Sequence, residues 1–121
     1  MPIKKILIVD DSPTERHALS ELLVKSGFNV VTAESGEEAI AKSKSEMPDL
    51  ILMDVVMPGM NGYQATRTIT REEATKHIPV VMCTSKGQET DKIWGMRQGA
   101  NDYLVKPIDP KVLLDKIAAL G

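Results

Sequence analysis

Five side chains in this sequence could do chemistry together if the fold brought them to one place: Asp10, Asp11, Asp54, Thr84 and Lys106. Three carboxylates held close repel one another unless a cation joins them or their pKa values rise. Hard oxygen ligands with room for water suit Mg²⁺, which keeps much of its hydration and uses few protein carboxylates. A lysine at the same point neutralises remaining negative charge, or pairs as a point charge with a phosphoryl group. A carboxylate beside bound Mg²⁺ can attack phosphorus and form an aspartyl phosphate. Metal and lysine would then stabilise the equatorial oxygens of an in-line transfer. The chemistry these residues point to is Mg²⁺-assisted phosphoryl transfer to an aspartate.

Taken one at a time, each has a plainer explanation. An Asp near a strand end often caps the next helix; Thr84 could simply end a strand, and Lys106 could be solvated. Here, however, Ser12 stands in the capping position before Pro13, which leaves Asp10 and Asp11 without a structural duty. Asp54 precedes Val55-Val56-Met57-Pro58-Gly59, a loop rather than a helix start, so capping does not account for it either. The constellation is informative where its members are not.

The elements that must position these residues are short apolar runs at 6–9, 30–31, 50–53, 80–83 and 103–105. Residues apolar at consecutive positions, rather than alternating, mark strands covered on both faces, the habit of parallel sheets. Helical stretches lie between them. Ser12-Pro13-Thr14-Glu15 reads as a capping box with Pro in the first helical position. Leu19, Leu22 and Leu23 then recur at helical spacing until Gly27 stops the helix. Ser35-Gly36-Glu37-Glu38 repeats the capping pattern, and Pro48 closes that helix. A third helix is expected from Gly62 to about residue 73 and a fourth from about 88 to 98, before Gly99. Asp109-Pro110 starts the last, with Leu113, Ile117 and Leu120 as its apolar stripe.

Five β–α units in strict alternation imply an open parallel sheet, wound on both faces by right-handed crossovers. Ligands in such a sheet sit beyond the carboxyl ends of the strands. Those ends carry Asp10-Asp11, Asp54, Thr84-Ser85 and Lys106-Pro107, while the second strand ends in the uninformative Ala33-Glu34.

The chain as a whole narrows the classes. Its 121 residues fit one domain, 1–121, with no output domain. Fifteen basic residues against seventeen acidic, without a basic stripe, argue against nucleic acid as a partner. Cys83 is the only cysteine, so no intramolecular disulfide can form, and a cytoplasmic setting is expected. Met1-Pro2-Ile3-Lys4-Lys5 leads into an apolar run too short for a membrane span and ending in two aspartates, unlike a signal peptide. No membrane partner is expected.

Residues 6–11 (ILIVDD), 50–62 (LILMDVVMPGMNG), 80–85 (VVMCTS) and 101–107 (NDYLVKP) resemble the receiver domain of bacterial two-component systems, over essentially the whole chain. The resemblance implies a flavodoxin-like doubly wound (βα)5 fold with strand order 2-1-3-4-5. It implies Asp54 as phosphoacceptor, with Mg²⁺ held by the carboxylates of Asp11 and Asp54 and the backbone carbonyl of Val56. Asp10 would contribute mostly through waters. Lys106 would contact the phosphoryl group, before a cis peptide to Pro107. The Thr84 hydroxyl would swing to the phosphoryl oxygen and Tyr103 would follow it inward, altering the face formed by helix 4, strand 5 and helix 5. The implied partners are a sensor histidine kinase or its phosphotransfer domain, and a downstream protein binding that face of a monomer. Residues 11–16 and 90–100 are similar to stand-alone regulators of twitching motility in chemotaxis-like systems that control type IV pili.

The chain departs from the commonest receiver pattern at Ile108, where many members carry Phe, and at Val56, which offers no side chain to orient an attacking water. Trp94 lies beside the Ile93/Met96/Ala100 stripe of the fourth helix, as a packing residue or a partner anchor. Cys83 reads as an inert core residue, and His17 and His77 as surface residues. Met57 and Met60 would cover the site or face the kinase.

Four other functions share parts of this pattern. A phosphate sink shares every feature of an effector. A small-molecule aspartyl-phosphate phosphatase would carry a second acid where Val56 stands. A phosphorylation-independent adaptor would not need the acidic, Thr and Lys set. A nucleotide- or flavin-binding role would want a Gly-rich loop in place of Asp10-Asp11-Ser12-Pro13.

Overall fold

A computed structural model describes residues 2–121. The chain alternates β1 (Lys5–Val9), α1 (Pro13–Lys25), β2 (Asn29–Ala33), α2 (Gly36–Ser45), β3 (Leu50–Met53), α3 (Gly62–Arg71), β4 (Val80–Thr84), α4 (Glu89–Arg97), β5 (Asp102–Val105) and α5 (Pro110–Leu120). The strands form one sheet in the order β2-β1-β3-β4-β5, with every neighbouring pair parallel. The expected fold class and strand order are both observed.

The dense apolar runs follow from that sandwich. Side chains alternate across a strand, so Leu7, Val9, Ile51, Met53, Val80 and Met82 enter one core with Ala39 of α2 and Ala65 and Ile69 of α3. Ile6, Ile8, Leu50, Leu52, Val81 and Cys83 enter the other, with Leu23 of α1 and Leu113 and Ile117 of α5. Each large aliphatic side chain fully buried in this way contributes about 1.5–3 kcal/mol. Two filled faces hold the sheet rigid, and the strand ends with it.

Two apolar stripes differ from expectation. Helix α4 buries Gly95 alone, and a Cβ there would come within 2.9 Å of the Tyr103 ring. The helix sits on β5 through a residue without a side chain, so Ile93, Trp94 and Met96 are 46%, 49% and 46% exposed. The expected Ile93/Met96/Ala100 stripe therefore buries only Ala100. In α5 the stripe ends at Ile117, and Leu120 reaches solvent.

Helix ends mostly follow local chemistry. Gly27 takes a φ of +96° just past α1, a conformation that costs glycine little. Helix α2 stops at Ser45, ahead of Met47 in a left-handed conformation (φ 46°). Helix α3 ends at Arg71, short of the expected position. Among the described residues no helix is long and apolar enough to cross a membrane.

Candidate functional site

Backbone hydrogen bonds that continue the sheet join the carboxyl ends of β2, β1 and β3, and likewise those of β4 and β5. Asp10 N–H donates to Ala33 O at 3.1 Å, Asp54 N–H to Val9 O at 3.0 Å, and Lys106 N–H to Thr84 O at 2.8 Å. Asp10, Asp54 and Thr84 are buried. Four of the five sequence candidates thus meet on a rigid base.

Lys106 lies at the centre. Its Nζ is 2.6 Å from Glu15 Oε2, 2.9 Å from Asp10 Oδ2 and 3.5 Å from Asp54 Oδ2. Carboxylate oxygens of Asp10, Glu15 and Asp54 all fall within 4.8 Å of one another. Burial raises the Asp54 pKa above its ordinary value; Lys106 opposes this, the Asp10 charge adds to it, and the Thr84 hydroxyl and Val55 N–H also oppose it. Burial disfavours the Lys106 ammonium, but the hydrogen bonds to Glu15 and Asp10 and the Asp54 charge outweigh it, so its pKa is raised. A buried acid that resists ionisation beside an ammonium that resists neutralisation is a site short of positive charge. An all-oxygen donor set of this kind fits a hard divalent cation.

Two expectations about the α1 start are corrected here. Asp10 is not free of structural duty, because its Oδ1 accepts the Ser12 N–H at 2.9 Å. The capping box does not close. Ser12 Oγ accepts the Glu15 N–H at 3.3 Å, but Glu15 turns its carboxylate to Lys106 instead of back to Ser12. Glu15 consequently joins the cluster, while Asp11 is exposed and outside it.

Ala33-Glu34 also proves informative. Arg16 donates from one guanidinium nitrogen to Asp10 O at 2.8 Å and from another to Glu34 Oε1 at 3.0 Å. It clamps the end of β1 to the end of β2, a role with no local sequence pattern to reveal it.

On the other side of Asp54 the connection to α3 is held firmly. Val55 N–H donates to Asp54 Oδ1 at 2.8 Å, and Gly62 N–H donates to Val55 O at 2.9 Å. The loop doubles back so tightly that a Cβ on Gly62 would lie 2.0 Å from Asp54 O. Asn61 and Gln64 close a full capping box over the start of α3. Val56 extends its side chain into solvent.

Tyr103 is buried, and its hydroxyl donates to Lys86 O at 2.7 Å. Tyr63 was not among the sequence candidates, yet its hydroxyl lies 3.3 Å from that of Tyr103 and donates to Asp91 O at 3.1 Å. The Lys106–Pro107 peptide is cis. Cys83 is buried, and that burial pushes its thiol up to about 12, which removes it from thiolate chemistry.

The model of the response regulator receiver domain matches residues 6–118. The chain is 54% identical over 116 residues to protein PilH of Pseudomonas aeruginosa, covering 96% of each. It is 39% identical to the phosphate regulon transcriptional regulatory protein PhoB of Escherichia coli, spanning about half (51%) of that longer protein. Among solved structures, chemotaxis protein CheY4 of Vibrio cholerae superimposes with a TM-score of 0.91 at 34% identity, over 98% of this chain and 99% of that one. The receiver domain of sensor histidine kinase PA1611 of P. aeruginosa, with a magnesium ion coordinated in its active site cleft, gives 0.89 at 29% identity, over 97% and 96%. With the sheet order, the acidic strand ends and the central lysine in place, these matches establish that the chain belongs to the response regulator receiver domain family.

Proposed function

We propose that residues 1–121 act as a single receiver domain that takes a phosphoryl group from a histidine kinase or its phosphotransfer domain onto Asp54. The observation that carries this reading is the buried Asp54 carboxylate, 3.5 Å from a Lys106 ammonium that it shares with Asp10 and Glu15. In the transfer, an Asp54 oxygen forms a bond to phosphorus as the donor's P–N bond breaks, and the leaving imidazole nitrogen keeps the electron pair. Lys106 meets the negative charge delivered to the site. Asp10, Asp11, Asp54 and the Val56 carbonyl are the groups that would hold Mg²⁺, which supplies charge neutralisation of the phosphoryl oxygens. Thr84 would hydrogen-bond the phosphoryl group, and Tyr103 would relay the change to the α4-β5-α5 face. No turnover of an external substrate is involved.

Signalling then proceeds by protein contact. Exposed Ile93, Trp94, Met96, Val105 and Val112 on α4, β5 and α5 support that face as the docking surface for a downstream protein. The extent of the likeness to PilH supports a place in a system controlling twitching motility. The free, buried Cys83 suits a reducing, cytoplasmic setting.

Incubation with Mg²⁺ and acetyl phosphate, read by intact mass, tests the chemistry. One added phosphoryl group is expected, and chelation of the metal or Asp54→Asn should abolish it. A wild-type chain left unmodified where a control receiver is labelled would overturn the reading. Pull-downs with and without beryllofluoride separate an effector, which captures a partner in one state, from a phosphate sink, which captures none.

A further inference from the structure

Glu15 has the shortest contact to the central lysine, 2.6 Å, and that contact is made from outside the buried site. Its side chain is 48% exposed, whereas that of Lys106 is 18% exposed. Nothing in local structure demands this placement. The Ser12 N–H that a capping Glu would accept is already taken by Asp10, so the Glu15 carboxylate is released from helix capping and turned inward. Lys106 Nζ is meanwhile farther from Asp54 than from either of its other acids. The ammonium is drawn toward the α1 side of the site.

A phosphoryl group on Asp54 would need that ammonium for itself. Lys106 donates hydrogen bonds to Asp10 and Glu15 and none to Asp54, whose nearer oxygen is 3.5 Å away. Both bonds hold the ammonium on the α1 side, away from a phosphoryl group on Asp54, and of the two the one in contact with solvent is the less costly to release. An interaction present in one state and absent in the other shifts the equilibrium between them by its own free energy.

Building on the receiver reading, we propose that Glu15 is a positioning residue that latches Lys106 in the unphosphorylated state and opposes phosphorylation until it lets go. Glu15→Gln keeps the shape of the side chain and removes the charge. Glu15→Asp keeps the charge but is one methylene too short to keep the contact while α1 stays in place. Both variants change an exposed position of α1, and circular dichroism would verify the fold.

The test measures beryllofluoride affinity at saturating Mg²⁺ in the wild-type chain and both variants, together with the acetyl phosphate concentration giving half-maximal phosphorylation. The latch predicts tighter beryllofluoride binding in both variants, by about twofold to fivefold, with an equal fall in the half-maximal donor concentration. If Glu15→Asp instead behaves like wild type while Glu15→Gln binds more tightly, the effect is the general field of a negative charge, and the latch is wrong. If Glu15→Gln weakens Mg²⁺ binding by calorimetry and leaves beryllofluoride affinity at saturating metal unchanged, Glu15 serves the metal and the latch is wrong. Equal phosphorylation of all three chains would overturn the latch alone, whereas a wild-type chain that neither takes phosphate nor binds beryllofluoride would overturn the receiver reading with it.

Discussion

Two helices begin just beyond the aspartates of this site, and their starts are built differently. At α3, Asn61 and Gln64 satisfy each other's backbone donors, and the loop before them closes on Gly62. At α1, Ser12 caps without reciprocation, Asp10 covers the donor that Glu15 would have accepted, and Glu15 points at Lys106. The α3 start is satisfied internally and holds Asp54 and its loop still. The α1 start leaves acids directed at a neighbouring cation. Rigidity on one side of Asp54 and available charge on the other are what the proposed covalent switch requires.

The largest effect should come from the rigid side. Gly62→Ala places a methyl group against the Asp54 carbonyl, where a Cβ would sit 2.0 Å away. A loss of about 3 kcal/mol in urea unfolding is expected. Beryllofluoride binding should weaken as well, because the displaced backbone is that of Asp54. Unchanged stability would show that the tight closure does not hold the site.

A smaller effect should appear at Asp54 itself. The Asp54 pKa is raised, chiefly by burial, so between its unfolded and folded values the native chain binds more protons than the unfolded one. Its contribution to stability therefore falls as pH rises through that window. Without divalent metal, Asp54→Asn should melt a few degrees above wild type at pH 7, a gain that fades below the ordinary Asp value of 3.8. Added Mg²⁺ should stabilise wild type more than the variant, as a ligand of the native state. Thermal melts across pH, with and without Mg²⁺, check both signs.

The smallest effects should separate the two caps. Asn61→Ala removes one half of a closed box and should cost about 1 kcal/mol, whereas Ser12→Ala removes a single 3.3 Å contact and should cost about 0.5 kcal/mol. Equal losses in urea unfolding would contradict the difference between the two starts.

The same contrast explains what could be read from the sequence. The sheet was legible because strands buried on both faces must be apolar at consecutive positions, as residues 6–9 and 50–53 are. Asp10, Asp54, Thr84 and Lys106 followed, since each stands directly beyond such a run. The Asn61 box has a local pattern, but Gly62 already marks a helix start there and hides the cap before it. Glu15 was misread for a physical reason. A capping acid and a site acid occupy the same position in the first turn, and the choice between them rests on Lys106, 91 residues away. The contact between Tyr63 and Tyr103 spans 40 residues and left no local trace either. The α4 stripe failed because periodicity counts apolar side chains, and that helix packs through Gly95, which has none.

The most direct test of the central claim locates the phosphoryl group chemically. Borohydride reduces an aspartyl phosphate to homoserine, which peptide mass mapping can place in the chain. After treatment with Mg²⁺ and acetyl phosphate, homoserine is expected at position 54 and at neither Asp10 nor Asp11. Homoserine at another acid, or none in a chain whose intact mass shows a phosphoryl group, would contradict the assignment of Asp54 as the phosphoacceptor.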